Sequence, residues 1–262
     1  VPGCRFQFIR EPMSVLNPAA VEGRFHVTAI SAVLYPAIAE QYAILSAGTS
    51  VGRGYGPVLV SKHFTRIEEL SGRRVGVAGI PTTGWLLLRW ICPGAIAVPM
   101  AFDGIADAVE TDALDAGVMI HEELLYYKQL GLRCVMDLGA EWCRRMDMPL
   151  PVGLNLARRD LGGAATEAIC AAIRRSLQYA FEHCDEALAW VSQFGRGREG
   201  ACTQPFVQMF ANSDSYCMPP DVRRALPTLL GIAVEAGVGD RVPPFDIIEG
   251  VPDRKRKLAQ VA

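Results

Sequence analysis

The run Asp115-Ala-Gly-Val-Met-Ile-His121-Glu122 offers the most direct chemistry in the chain. An apolar strand there delivers a histidine to its carboxyl end, where open α/β sheets meet their ligands, and imidazole is the natural general base near neutral pH. The competing reading is structural, because a lone histidine often only packs and hydrogen-bonds. The other histidines offer less: His26 starts a strand, His63 lies in a polar loop and His183 stands near a helix end.

Two further constellations suit an anion. In Arg74-Val-Gly-Val-Ala-Gly-Ile-Pro-Thr-Thr-Gly84 a glycine-rich turn leaves a strand and opens a helix near Trp85. The hydroxyls of Thr82 and Thr83, with Gly84, then lie beside free amides at the positive end of that helix. The turn lacks the Gly-Lys-Ser/Thr ending of a Walker loop and the G-x-G-x-x-G spacing of a dinucleotide site. In Val27-Thr-Ala-Ile30-Ser31 an apolar strand ends in a serine that would cap the next helix, its hydroxyl near amides that also suit a carboxylate. Simple capping explains the first place equally well, and for Ser31 it is the leading reading. Asn17-Pro18 reads first as an N-cap followed by the first helical residue, and second as a polar group directed at a cleft. The glycine-rich stretch 48–57 reads as a tight connection between strands, with room for close backbone approach to a ligand.

These residues must be positioned by a sheet. Short β-rich runs at 5–9, 26–30, 42–45, 56–61, 74–78, 96–102, 116–120, 133–138 and 152–157 alternate with helical patterns, the signature of an α/β protein. Their carboxyl ends include Ser31, Gly79 and His121. Beyond Asp160 the pattern turns helical: Ile169, Ile173, Leu177 and Phe181 recur every four residues on a helix ending near His183. Helices over 185–193, 203–211 and 221–236 follow, and the basic run at 253–257 reads as a solvated terminus. The segments 56–61 and 152–157 bracket the middle of the chain as two extended crossings. That predicts a discontinuous first lobe (1–60 and 156–262), an inserted second lobe (61–155), and a hinged cleft between them.

The 262 residues are half hydrophobic, with 26 basic and 28 acidic side chains. Such a chain builds a substantial core, and its balanced charge gives no sign of a nucleic-acid partner. The apolar stretch 84–102 is interrupted by Arg89, Pro93 and Pro99, which argues against a membrane span of ~20 residues. No export signal is visible in the first ten residues. The eight cysteines include no C-x-x-C pair and no zinc-like spacing. They are read as free thiols, several serving as small hydrophobes, in a reducing cytoplasm, with no metal site.

As an ordered set, Val-Thr-Ala-Ile-Ser-Ala (27–32), Gly-Arg-Gly-Tyr-Gly-Pro (52–57), Pro-Thr-Thr (81–83), Phe-Asp-Gly-Ile (102–105), Asp-Ala-Gly-Val-Met-Ile-His-Glu (115–122) and Asp-Leu-Gly (137–139) resemble the menaquinone-biosynthesis family that contains the 1,4-dihydroxy-6-naphthoate synthases. Pro-Leu-Pro-Val-Gly (149–153) and Ala-Arg-Arg-Asp-Leu (157–161) extend the match. The resemblance implies a fold similar to the two-lobed type 2 periplasmic binding proteins. It also implies cleavage of cyclic dehypoxanthinyl futalosine, a small-molecule carboxylate, to 1,4-dihydroxy-6-naphthoate and dihydroxyacetone without metal or organic cofactor. On this resemblance His121 is the base, and Asn17, Ile30 with Ser31, and Thr83 with Gly84 are ligand contacts.

Two departures from the family pattern carry expectations. Family members open with a strand and a Ser-Pro-x-x-Asp-Asp-like stretch, so this chain, which begins later and without an initiator methionine, is expected to lack a strand of the first lobe and an acidic stretch facing the cleft. The family's threonine before the tyrosine that follows the histidine is here Tyr126, before Tyr127, and its bulkier ring is expected to narrow the pocket or alter its substrate. Two other functions compete. One is a non-catalytic solute-binding or sensory module on the same fold, since fold does not settle function. The other is a chorismate dehydratase, against which the Ile-His-Glu strand end weighs.

Overall fold

Short apolar runs closed by glycine or polar residues fold as strands almost throughout the computed structural model, which describes residues 5–193, 200–244 and 246–250. The first part of the chain runs α1 (Met13–Val21), β1 (Val27–Ser31), α2 (Tyr35–Ile38), β2 (Tyr42–Leu45) and β3 (Ser50–Gly52). The middle part runs β4 (Val58–Ser61), β5 (Arg74–Val77), α3 (Thr83–Ile91), β6 (Ile96–Pro99), α4 (Ile105–Glu110), β7 (Ala116–Met119), α5 (Glu123–Tyr126), β8 (Arg133–Asp137) and α6 (Leu138–Met146). The chain then returns through β9 (Leu150–Arg158) to α7 (Gly163–Glu182), α8 (Cys184–Ser192), α9 (Gly200–Phe210), α10 (Ser213–Tyr216), α11 (Pro220–Glu235) and β10 (Ile247–Ile248).

The strands form two five-stranded sheets. In the first, β9 is the hub: β1, β2 and β3 each pair antiparallel with β9 and not with one another, and β10 adds parallel to β2. The second sheet has the order β6-β5-β7-β4-β8, with β5 parallel to both β6 and β7. The chain therefore passes between sheets at 53–57 and again at 147–149. The segments 56–61 and 152–157 are mostly sheet strands, β4 and the body of β9.

One buried cluster serves both sheets. Ile30 and Ile44 of the first and Leu59, Val75 and Val77 of the second pack with Leu86, Leu87 and Leu88 of α3 and with Leu226, Leu229 and Leu230 of α11. Each such side chain stabilises by about 1.5–3 kcal/mol relative to exposure. A second cluster, including Val58, Val60, Ile105, Val109 and Met119, lies within the middle part. The apolar stretch 84–102 is divided between α3 and β6, and no helix among the described residues is long and apolar enough to cross a membrane.

Three expectations are corrected. Residues 5–9 form no strand; Phe6 and Phe8 alternate as strand residues do, but Phe8 is 93% exposed and no neighbouring strand receives the pattern. Asn17 does not cap a helix, because α1 begins at Met13 after Pro12 and contains both Asn17 and Pro18. The connection within 48–57 includes a strand of its own, β3, which adds to β9. The basic run at 253–257 lies outside the described residues.

Candidate active site

A cavity of about 390 Å³ opens between the two sheets. Its first-sheet wall includes Ala29, Ile30 and Ser31 of β1, Ser50 of β3, and Gly153 and Asn155 of β9. Its second-sheet wall includes Thr83, Gly84 and Trp85 of α3 with Thr82 before it, and Val118, Ile120 and His121 at the end of β7. No Asp, Glu, Lys or Arg lies among the described lining residues, so His121 is the titratable group of the wall. Of the six sequence-predicted binding residues, all but Asn17 thus share one space with the predicted base: Ile30 and Ser31 lie on the first-sheet wall, and Thr82, Thr83 and Gly84 lie on the second-sheet wall with His121.

His121 stands two residues beyond the end of β7 and has φ 55°, a left-handed conformation uncommon for a residue with a Cβ. Its ring packs on Phe102, with centroids 4.6 Å apart, and on Phe206 of α9 at 6.0 Å. The imidazole is thereby held against apolar faces at the cavity wall. Tyr126 does not narrow the space, contrary to expectation: it is buried, and Leu124 is the α5 residue that lines the cavity.

Asn17 stands behind the wall. Its Nδ2 donates to Ser31 Oγ at 3.2 Å and to the Pro81 carbonyl at 3.0 Å, while its Oδ1 accepts from the Ser31 amide at 3.0 Å. One buried carboxamide therefore ties the end of β1 to the turn that opens α3. Ser31 precedes a short 3₁₀ turn but makes no side-chain cap bond. With Asn17 donating to its oxygen, its own proton is left to point elsewhere.

Thr82 caps α3: its hydroxyl accepts from the Trp85 amide at 3.3 Å and donates to the Gly79 carbonyl at 2.9 Å. The Thr83 hydroxyl donates to the Val152 carbonyl at 2.7 Å. The hydroxyl protons of both threonines are thus engaged within the protein. What the helix start offers an anion is its amides at Thr83 and Gly84, which have no acceptor within the helix. Gly84 also permits close packing, since a Cβ there would lie 3.0 Å from Val118 Cγ1.

The last wall is α9, which contributes Phe206, Val207 and Phe210, followed by Ala211. Tyr55, in the first passage between sheets, donates its hydroxyl to the Met209 carbonyl and meets Phe210 edge-on at 5.5 Å. Sequence reading missed this wall, because Phe206 and Phe210 at a spacing of four look like any buried helical stripe. It also missed Ser50, hidden in the glycine-rich stretch. Asn155 left a faint signal as the polar residue in Leu154-Asn-Leu156.

A family model described as menaquinone biosynthesis matches residues 1–235. A 1,4-dihydroxy-6-naphthoate synthase of Thermus thermophilus is 34% identical over 235 residues, covering 90% of this chain and 86% of its own. The crystal structure of protein AF1704 from Archaeoglobus fulgidus superposes with a TM-score of 0.82 at 40% identity, covering 87% of this chain and 85% of that one. The periplasmic aliphatic sulphonate binding protein of Escherichia coli shares the fold, with a TM-score of 0.61 at 11% identity over 95% of this chain and 85% of its own.

Proposed function

The chain belongs to the menaquinone-biosynthesis family, and from that premise we propose that it is a carbon–carbon lyase converting cyclic dehypoxanthinyl futalosine to 1,4-dihydroxy-6-naphthoate and dihydroxyacetone. The observation that carries the assignment of roles is the meeting of His121 with Ser31 and the start of α3 across one uncharged cavity. His121, as a neutral imidazole, takes a proton from the substrate and so starts bond cleavage. The Thr83 and Gly84 amides and the Ser31 hydroxyl hold the substrate carboxylate, and Asn17 fixes their spacing by binding both loops. The ring system lies against Trp85, Leu124, Phe206 and Phe210. Cys92, Cys134, Cys143, Cys170, Cys184 and Cys217 are free thiols, which supports a reducing, cytoplasmic location.

The test is incubation of the pure protein with cyclic dehypoxanthinyl futalosine and, separately, with chorismate, following products and binding. Release of naphthoate and dihydroxyacetone supports the lyase. Turnover of chorismate, or tight binding of either compound without turnover, overturns it.

A further inference from the structure

Most polar side chains of the cavity already have a hydrogen-bond partner, and the two exceptions fall together. Among the described residues, neither the Ser50 hydroxyl nor the Asn155 carboxamide hydrogen-bonds to the protein, and neither is sealed from the cavity. Strand register explains why they converge. Gly153 of β9 stands opposite Ser31 on one side and opposite Ser50 on the other, and Asn155 lies two residues along the same strand, opposite Ala29. Residues directly opposite, and residues two apart, share a face of a sheet. Ala29, Ser31, Ser50, Gly153 and Asn155 therefore make one patch of small side chains facing the cavity. A register shift between Ser50 and Val51 sets Ser50 at an irregularity of the kind that re-aims a side chain. Gly153 leaves room beside Ser50: a Cβ there would stand 3.8 Å from Ser50 Cβ and 3.9 Å from Ser50 Oγ.

The chemistry of the patch selects its ligand. A hydroxyl and a carboxamide each donate and accept, as does an alcohol, whereas an anion only accepts and would leave the carboxamide oxygen without a donor. No cation lies among the described lining residues to favour a charge. We propose that Ser50 and Asn155 form a neutral polyol subsite on the first-sheet wall, which binds the hydroxylated, non-aromatic end of the substrate. The identity of that substrate rests on the lyase reading; the preference for polyols rests on the patch itself.

The test uses Ser50→Ala, Asn155→Ala and the double variant, each shown by circular dichroism to be folded. Ligand-observed NMR with glycerol and erythritol reports polyol binding without need of turnover, and titration with 1,4-dihydroxy-6-naphthoate reports the rest of the cavity. The expected result is polyol binding by the wild type, weakened roughly three- to tenfold by each single substitution as one neutral hydrogen bond is lost. Naphthoate affinity stays within about twofold, by the same scale. No polyol binding by the wild type, equal polyol binding by the variants, or an equal loss of naphthoate affinity overturns the subsite. Polyol binding that the variants lose, in a protein that neither turns over the futalosine derivative nor binds naphthoate, overturns the lyase reading and leaves the subsite standing. If a single variant fails to fold, the other decides by the same readings.

Discussion

His121 keeps a left-handed backbone that costs an ordinary residue about 1–2 kcal/mol, and the site uses that turn to direct the ring from a strand end into the cavity. His121→Ala is expected to lower turnover about 10²-fold or more, measured as naphthoate release, with the fold intact; near-normal turnover removes histidine from the role of base. Gly48 shows a second constraint of this kind. It has φ 88°, and a Cβ there would lie 1.9 Å from Asn155 Nδ2. Gly48→Ala is therefore expected to cost about 1–2 kcal/mol from the backbone alone in urea denaturation, and to push Asn155 from its place. Ser31, Thr83 and His121, which line the cavity, stood out in the sequence because each terminates an apolar run or opens a helix. It gave no access to the role of Asn17, whose partners lie 14 and 64 residues away and meet it only once two sheets have formed.

Among the elements, α9 is the one whose place no local pattern declares. Its described side chains are half-buried or exposed, and it reaches the cavity through Phe206, Val207 and Phe210. The Tyr55 hydroxyl secures its last turn from the passage between sheets. Tyr55→Phe keeps the ring contact with Phe210 but removes that bond, a net loss of about 1 kcal/mol. Amides in the last turn of α9 are then expected to exchange with deuterium about fivefold faster; unchanged exchange means that packing alone holds the helix. Strands such as β2 and β5 were legible as short apolar runs. The three residues of β3 were not, because glycines on either side obscure a strand whose pairing is supplied entirely by β9. The false strand at 5–9 fails for the converse reason: alternation predicts a face, and no surface there accepts it.

At the scale of the molecule, Arg53 binds the passage between sheets to the C-terminal helices. Its Nε lies 2.7 Å from Asp214 of α10 and its Nη1 2.8 Å from Asp221 of α11. Hydrogen bonds from Arg53 hold the Asp221 carboxyl below its usual pKa, so this contribution is present above the unfolded value near pH ~4 and is lost as pH falls through the lower folded value. Arg53→Ala is expected to cost about 2 kcal/mol at pH 7 in urea denaturation, and the gap from wild type should shrink as pH falls below ~4. A gap independent of pH would show that the guanidinium acts by packing. The α/β class with two lobes was readable from the order of strands and helices; the buried cluster shared by both sheets was not, since it is assembled from distant segments. The hub position of β9 bears on how the molecule is made. Three strands emerge from the ribosome long before residues 150–158, the one stretch of antiparallel backbone that completes them. During synthesis their edges must wait unpaired while the middle part folds, and a nascent chain stalled before β9 is the form most exposed to aggregation and to chaperone capture.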